Sequence, residues 1–138
     1  MPKPPPAEGE QASPTIRVGI DIVSIGRVER LLSEQPAVTQ RVFTDRELEG
    51  LGGRRRVQRL AGRFAAKEAV LKAFGTGLGP RMNWTDVEIT SEPGGRPRVR
   101  LGGAVAAAAR RGGLASVDVS VAHTGDLAVA HAIAVYPR

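Results

Sequence analysis

From Ile16 to Val23 the chain alternates: Ile16, Val18, Ile20 and Ile22 fall on one side, Arg17, Gly19 and Asp21 on the other. A period of two is that of a β-strand with one face buried, so the isoleucine face is expected against the core, with Asp21 on the opposite face. The period then lengthens. Ile25, Val28, Leu31 and Leu32 mark the inner stripe of a helix from about Ser24 to Gln35, with Arg27 and Arg30 outside it and Pro36 limiting its extension. Thr44-Asp45-Arg46-Glu47 fits a capping box, and the short helix it starts is interrupted by Gly50, Gly52 and Gly53. A long helix is expected from about Arg55 to Phe74. Steps of three and four along it give Val57, Leu60, Phe64, Glu68 and Leu71, and it ends in the glycine-rich segment Gly75 to Pro80.

Two hairpins complete the pattern. Thr85 to Ser91 and Arg98 to Leu101 read as strands joined by a turn at Glu92 to Pro97. Ala104 to Arg111 is a short helix stopped by Gly112 and Gly113, and strands at Ser116 to Ala122 and Leu127 to Val135 flank a turn from His123 to Asp126. This order predicts an α+β domain with a largely antiparallel sheet packed on one long helix and shorter helices. Residues 1–14 hold five of the ten prolines and no apolar period, so they are expected to be a disordered tail, with the working domain at 15–138.

Composition narrows the chemistry. A chain of 138 residues suffices for one domain with its own core. The absence of cysteine excludes disulfides, thiolate zinc sites and cysteine nucleophiles, and fits a cytoplasmic setting. The N-terminal segment lacks the apolar core of a signal peptide, and no apolar run approaches the about 20 residues that span a bilayer, so no membrane association is expected. Twenty Lys and Arg against 14 Asp and Glu point to an anionic partner. The few aromatics do not form the stacking platform of a single-stranded nucleic-acid binder.

Glu68 breaks the pattern, because it places a carboxylate on an apolar stripe. Buried acids are costly unless paired, hydrogen-bonded or metal-bound, and Arg59, Arg63, Lys67 and Lys72 crowd the segment. One reading is an ordinary i, i+4 ion pair with Lys72, worth about 0.2–0.5 kcal/mol. The other is a phosphate and metal site.

The chain resembles the holo-[acyl-carrier-protein] synthases, the small, trimer-forming class of 4′-phosphopantetheinyl transferases. The resemblance is carried by Gly19-Ile20-Asp21-Ile22-Val23 with Arg27, by Arg41-Val42-Phe43-Thr44 with Glu47, and by Gly62-Arg63-Phe64-Ala65-Ala66-Lys67-Glu68-Ala69 with Lys72 to Gly77. Gly94-Gly95-Arg96-Pro97 and Ser120 with His123 and Thr124 complete it, over about residues 16–135.

Such enzymes move the 4′-phosphopantetheine arm of coenzyme A onto a serine of an apo acyl carrier protein and release adenosine 3′,5′-bisphosphate. The resemblance implies that Asp21 and Glu68 hold Mg²⁺, which needs one or two protein carboxylates besides phosphate oxygens and waters. It implies that Lys72 lies near the diphosphate, Arg63 and His123 near coenzyme A phosphates, and Gly75, Thr76 and Gly77 along the nucleotide, with Thr124 also among the coenzyme A-binding residues. Arg27 and Arg30 would receive the acidic carrier. A metal-bound water or a nearby carboxylate would take the serine proton, a choice the residues leave open. A homotrimer with shared sites is expected, with no nucleic acid and no membrane among the partners. Fatty-acid and polyketide carriers both fit. Ala122 departs from the family's usual hydroxyl residue before the histidine, so one contact at the nucleotide is absent or supplied by Thr124. A basic nucleic-acid module would explain the charge but gives Asp21 and Glu68 no role, because both would repel phosphate. Intact acids at both positions also argue against a catalytically silent relative.

Overall fold

The computed structural model describes residues 1–4 and 13–137, so most of the expected proline-rich tail lies outside the described residues. The first strand, β1 (Thr15–Ser24), runs into α1 (Ile25–Glu34), with Ser24 as its cap. Two short helices follow, α2 (Ala37–Val42) and α3 (Asp45–Leu48), then the long α4 (Arg56–Phe74). A 3-10 turn at Trp84–Asp86 leads into β2 (Val87–Ser91) and β3 (Pro97–Leu101). The chain finishes with α5 (Gly103–Arg111), β4 (Ser116–Thr124) and β5 (Leu127–Tyr136). The α+β architecture is the one expected; α2 was not read from the sequence. Thr85 sits in the 3-10 turn instead of a strand, and His123 and Thr124 end a strand instead of forming the turn.

Antiparallel strands in the order β1-β5-β4 form one sheet, and β2-β3 forms a separate hairpin. The three-stranded sheet packs on α4 through small residues. Ala130, Ala132 and Ala134 of β5 meet Ala65, Ala66, Ala69 and Ala73 in the main core, with Val87, Ile89 and Val105 closing it. A second cluster, Val42, Phe43 and Leu60, lies under α1 to α3, where Phe64 and Trp84 pack with ring centroids 5.2 Å apart.

Two expectations about faces are corrected. The isoleucine face of β1 is the exposed one: Ile16, Val18, Ile20 and Ile22 are 57–61% accessible. Gly19, on the opposite face, is buried so closely on α4 that an added Cβ would lie 2.0 Å from the Ala69 carbonyl oxygen. The sheet meets its helix through glycine and alanine because only those allow so short an approach. On α4 the buried charge is Lys67, fully enclosed, whereas Glu68 is only partly buried.

Candidate functional site

Asp21 and Glu68 come together where β1 crosses α4. Because Gly19 holds the strand against Ala69 and Ala73, Asp21, two residues on and on the same face, stands beside this helix. Lys72 joins them from the next turn. Its Nζ donates to Asp21 Oδ1 at 2.9 Å and to the Ile20 carbonyl at 3.1 Å. The i, i+4 ion pair with Glu68 is therefore replaced by a tertiary pair with Asp21.

The electrostatics follow from this placement. Partial burial, reinforced by the charge of Asp21 and partly offset by Lys72, pushes the Glu68 carboxyl above the usual carboxylate range. The hydrogen bond and charge of Asp21 raise the Lys72 ammonium above its ordinary value. Among the described residues no three His, Cys, Asp or Glu side chains converge, so this is a two-carboxylate site. A partly buried carboxyl raised by the charge of a neighbouring carboxylate suits a hard cation that retains waters and takes further oxygens from a phosphate.

Arg63 and His123 lie elsewhere. They line a cleft of about 790 Å³ between the first half of α4, the β2–β3 turn and the end of β4; its lining does not include Asp21, Glu68 or Lys72. Arg55, which caps α4, and Arg59 and Arg63 within it, spaced i, i+4, i+8 along one stripe, give it positive charge. Arg55 was not read as a site residue, and Arg59 was read only as part of the general basic crowding. Their four-residue spacing was the signal available. Gly62 forms part of the cleft wall, and a Cβ there would meet Val121 at 2.9 Å.

Arg63 is held from behind: Nη1 donates to the Glu47 carbonyl, and Nη2 reaches Ser91 Oγ at 3.4 Å. Burial holds its guanidinium below the usual arginine value, with Glu47 opposing the shift and Arg59 adding to it. Glu47 itself, read from the sequence only as a capping residue, is fully buried against Lys67 with Oε1 2.7 Å from Nζ. Lys67 therefore serves Glu47, not the Glu68 neighbourhood where the sequence had grouped it. Burial lowers its ammonium's pKa, and Glu47 counteracts that.

The remaining expected residues are exposed. Gly75 caps α4 in the left-handed conformation at φ 76°, and Thr76 and Gly77 follow it on the surface. Arg27 and Arg30 are exposed on α1. Ala122 and Thr124 alternate with His123 along β4 and lie on the sheet's other face, away from the cleft walled by Val121 and His123. The hydroxyl that Ala122 lacks is therefore not missing from this chain's own cleft.

A 4′-phosphopantetheinyl transferase superfamily model matches residues 17–132. The holo-[acyl-carrier-protein] synthase of Moorella thermoacetica is 46% identical over 119 residues, covering 86% of this chain and 92% of the relative. That of Streptomyces coelicolor is 48% identical over 120 residues, covering 86% and 96%. Among solved structures, the Neisseria meningitidis synthase matches with a TM-score of 0.78 at 32% identity, covering 86% of this chain and 96% of that one. The Chronobacterium ammoniagenes ACPS–CoA complex matches at 0.77 and 32% identity, covering 90% and 99%. A carboxylate pair at β1 and α4, a separate basic cleft and these similarities agree: the chain belongs to the 4′-phosphopantetheinyl transferase superfamily, as a holo-[acyl-carrier-protein] synthase.

Proposed function

We propose that the two clusters are the two halves of the site at which this synthase uses coenzyme A. The enzyme transfers the 4′-phosphopantetheine arm of coenzyme A to an acyl carrier protein. In the proposed arrangement Asp21 and Glu68 hold Mg²⁺, which when bound neutralises charge on the diphosphate. Lys72 contributes a second cation: two of its three N–H donors are engaged by Asp21 and Ile20, leaving one for a phosphate oxygen. The carrier's serine gives up its hydroxyl proton to a base at the carboxylate cluster, its oxygen forms a new bond to the phosphorus that bears pantetheine, and the bond from that phosphorus to the bridging oxygen breaks. Adenosine 3′,5′-bisphosphate leaves. Positioning and charge neutralisation carry most of such a transfer.

The cleft takes the nucleotide end, with Arg63 and His123 at its phosphates; Gly75, Thr76, Gly77 and Thr124, which lie outside this chain's own cleft, meet the nucleotide where a neighbouring chain completes the site. Arg27 and Arg30 on α1 receive the acidic carrier, giving an encounter rate that falls with salt. The separation of cleft and carboxylates on one chain, together with the exposed isoleucine face, supports a homotrimer in which neighbours complete each site. Residues 15–138 form the transferase domain, acting in the cytoplasm; no helix among the described residues is long and apolar enough to cross a membrane.

The observation that carries this reading is the meeting of Asp21, Glu68 and Lys72, from two elements far apart in sequence, on an accessible ledge. Its test is Glu68→Gln, assayed by mass spectrometry for the phosphopantetheine adduct on an apo carrier. Turnover is expected to fall by on the order of 100-fold or more, with unfolding unchanged and the stabilisation by Mg²⁺ lost. Near-normal turnover in this variant would return Glu68 to an ordinary surface acid.

A further inference from the structure

Glu47 and Lys67 are the fully buried charged residues among those described, and the transfer chemistry uses neither. We infer that this pair is a positioning device for Arg63, fixing its guanidinium in the cleft before coenzyme A arrives; the inference rests on the assignment of that cleft to coenzyme A.

The pair ties several elements together. Glu47 Oε1 accepts from Lys67 Nζ at 2.7 Å and from the Thr44 N–H at 2.9 Å, and Oε2 accepts from the Ile89 N–H at 3.0 Å. Lys67 directs its other donors to the Trp84 carbonyl at 3.1 Å and to the Val87 carbonyl. All three ammonium donors are thus used inside the protein. Its Nζ also lies 5.6 Å from the centre of the Phe43 ring. The result is a clamp joining α3, the 3-10 turn and β2 to α4.

Arg63 takes its two acceptors from the elements so clamped. The Glu47 carbonyl belongs to α3, and Ser91 ends the strand whose first residue, Val87, is bonded to Lys67. Both tethers therefore depend on α3 and β2 being held at fixed distances from α4. Arg55 and Arg59, on the same stripe, are exposed, whereas Arg63 is half-buried. An arginine ordered in advance keeps its remaining donors available for phosphate without the entropy loss that a free side chain suffers on binding. A buried ion pair is an uncertain source of net stability but an effective source of unique geometry, which suits this role.

The experiment is a kinetic cycle on the intact enzyme. The double variant Glu47→Gln, Lys67→Met removes both charges together. It is expected to raise the KM for coenzyme A by about ten-fold or more, with kcat and the carrier KM within about two-fold of wild type. In an Arg63→Ala background the same double change is expected to add nothing further to the coenzyme A KM. An unchanged KM in the folded double variant overturns the inference, as do losses from the pair and from Arg63 that multiply. An Arg63→Ala variant with normal affinity for coenzyme A instead overturns the assignment of the cleft, and the inference with it. Should the double variant fail to fold, NMR relaxation of the arginine Nε–H groups in the unliganded wild type decides. Arg63 is expected to be more ordered than Arg59, and Ser91→Ala is expected to abolish part of the difference. Equal mobility of Arg63 and Arg59 overturns the inference.

Discussion

Asp126 couples the β4–β5 turn to the helix assigned to carrier docking. Its carboxylate accepts from Ser24 Oγ at 2.5 Å and from the Gly26 N–H at 2.8 Å, and its carbonyl accepts from the Ile25 N–H at 2.7 Å. The Ile25 and Gly26 N–H groups are backbone donors that a helix start leaves unpaired. The Ser24 hydrogen bond, then that of Gly26, lowers the Asp126 carboxyl below its usual range. A carboxyl depressed in the folded state adds stability above its unfolded value, about 4, and that contribution is lost as pH falls through the folded value. Asp126→Asn should therefore lower the urea midpoint at pH 7, and that deficit should shrink progressively as the pH is taken below about 4. Because α1 carries Arg27 and Arg30, the same variant should raise the carrier KM and spare that of coenzyme A. At this scale the sequence marks Glu68 more plainly than it marks the side of α4 that is buried. Glu68 was recognisable as an acid in the wrong place, yet its neighbour Lys67 is the charge that is fully enclosed. Consecutive residues lie about 100° apart around a helix, so a one-residue error in judging the buried face exchanges a site residue for a structural one.

At the scale of elements, the contact between β1 and α4 positions the carboxylates. An added Cβ on Gly19 would lie 2.0 Å from the Ala69 carbonyl oxygen and 2.7 Å from the Ala73 nitrogen, both backbone atoms that cannot rotate away. Gly19→Ala should cost about 3 kcal/mol or more in urea unfolding and displace Asp21, so the folded fraction should also lose Mg²⁺-dependent turnover. The strand itself was legible, as were the hairpins, the long helix and the capping box, because period and turn chemistry are local. The buried side of β1 was not. The face that carries Gly19 and Asp21 has less apolar surface than the face that carries Val18, Ile20 and Ile22, yet it lies inward because alanines oppose it. The same small residues hid the true face of α4, where Ala65, Ala66, Ala69 and Ala73 are fully or almost fully buried. A search for large aliphatic side chains passes over them.

The exposed side of that sheet sets the scale of the whole molecule. Ile16, Val18, Ile20, Ile22, Leu127 and Ile133 leave 41–61% of their surface accessible on neighbouring strands, a contiguous apolar area of the kind that marks an interface. On an isolated chain Val18→Lys should change stability by no more than about 0.5 kcal/mol. In a trimer it should reduce the sedimenting mass to that of one chain and abolish turnover while the circular dichroism persists. A further mixing experiment separates assembly from site sharing. Glu68→Gln spoils the carboxylate half of a site, and Arg63→Ala spoils the cleft half. If each site joins the carboxylates of one chain to the cleft of the next around a closed ring, an equal mixture of the two impaired variants, refolded together, contains intact pairings at random. The chance that one junction draws its carboxylates from the Arg63→Ala chain and its cleft from the Glu68→Gln chain is about one quarter. With coenzyme A well below its KM, turnover should therefore recover to about one quarter of wild type, above the level of either preparation alone. Sites complete within single chains give no recovery at any mixing ratio, and the mixture then stays at the level of its parents.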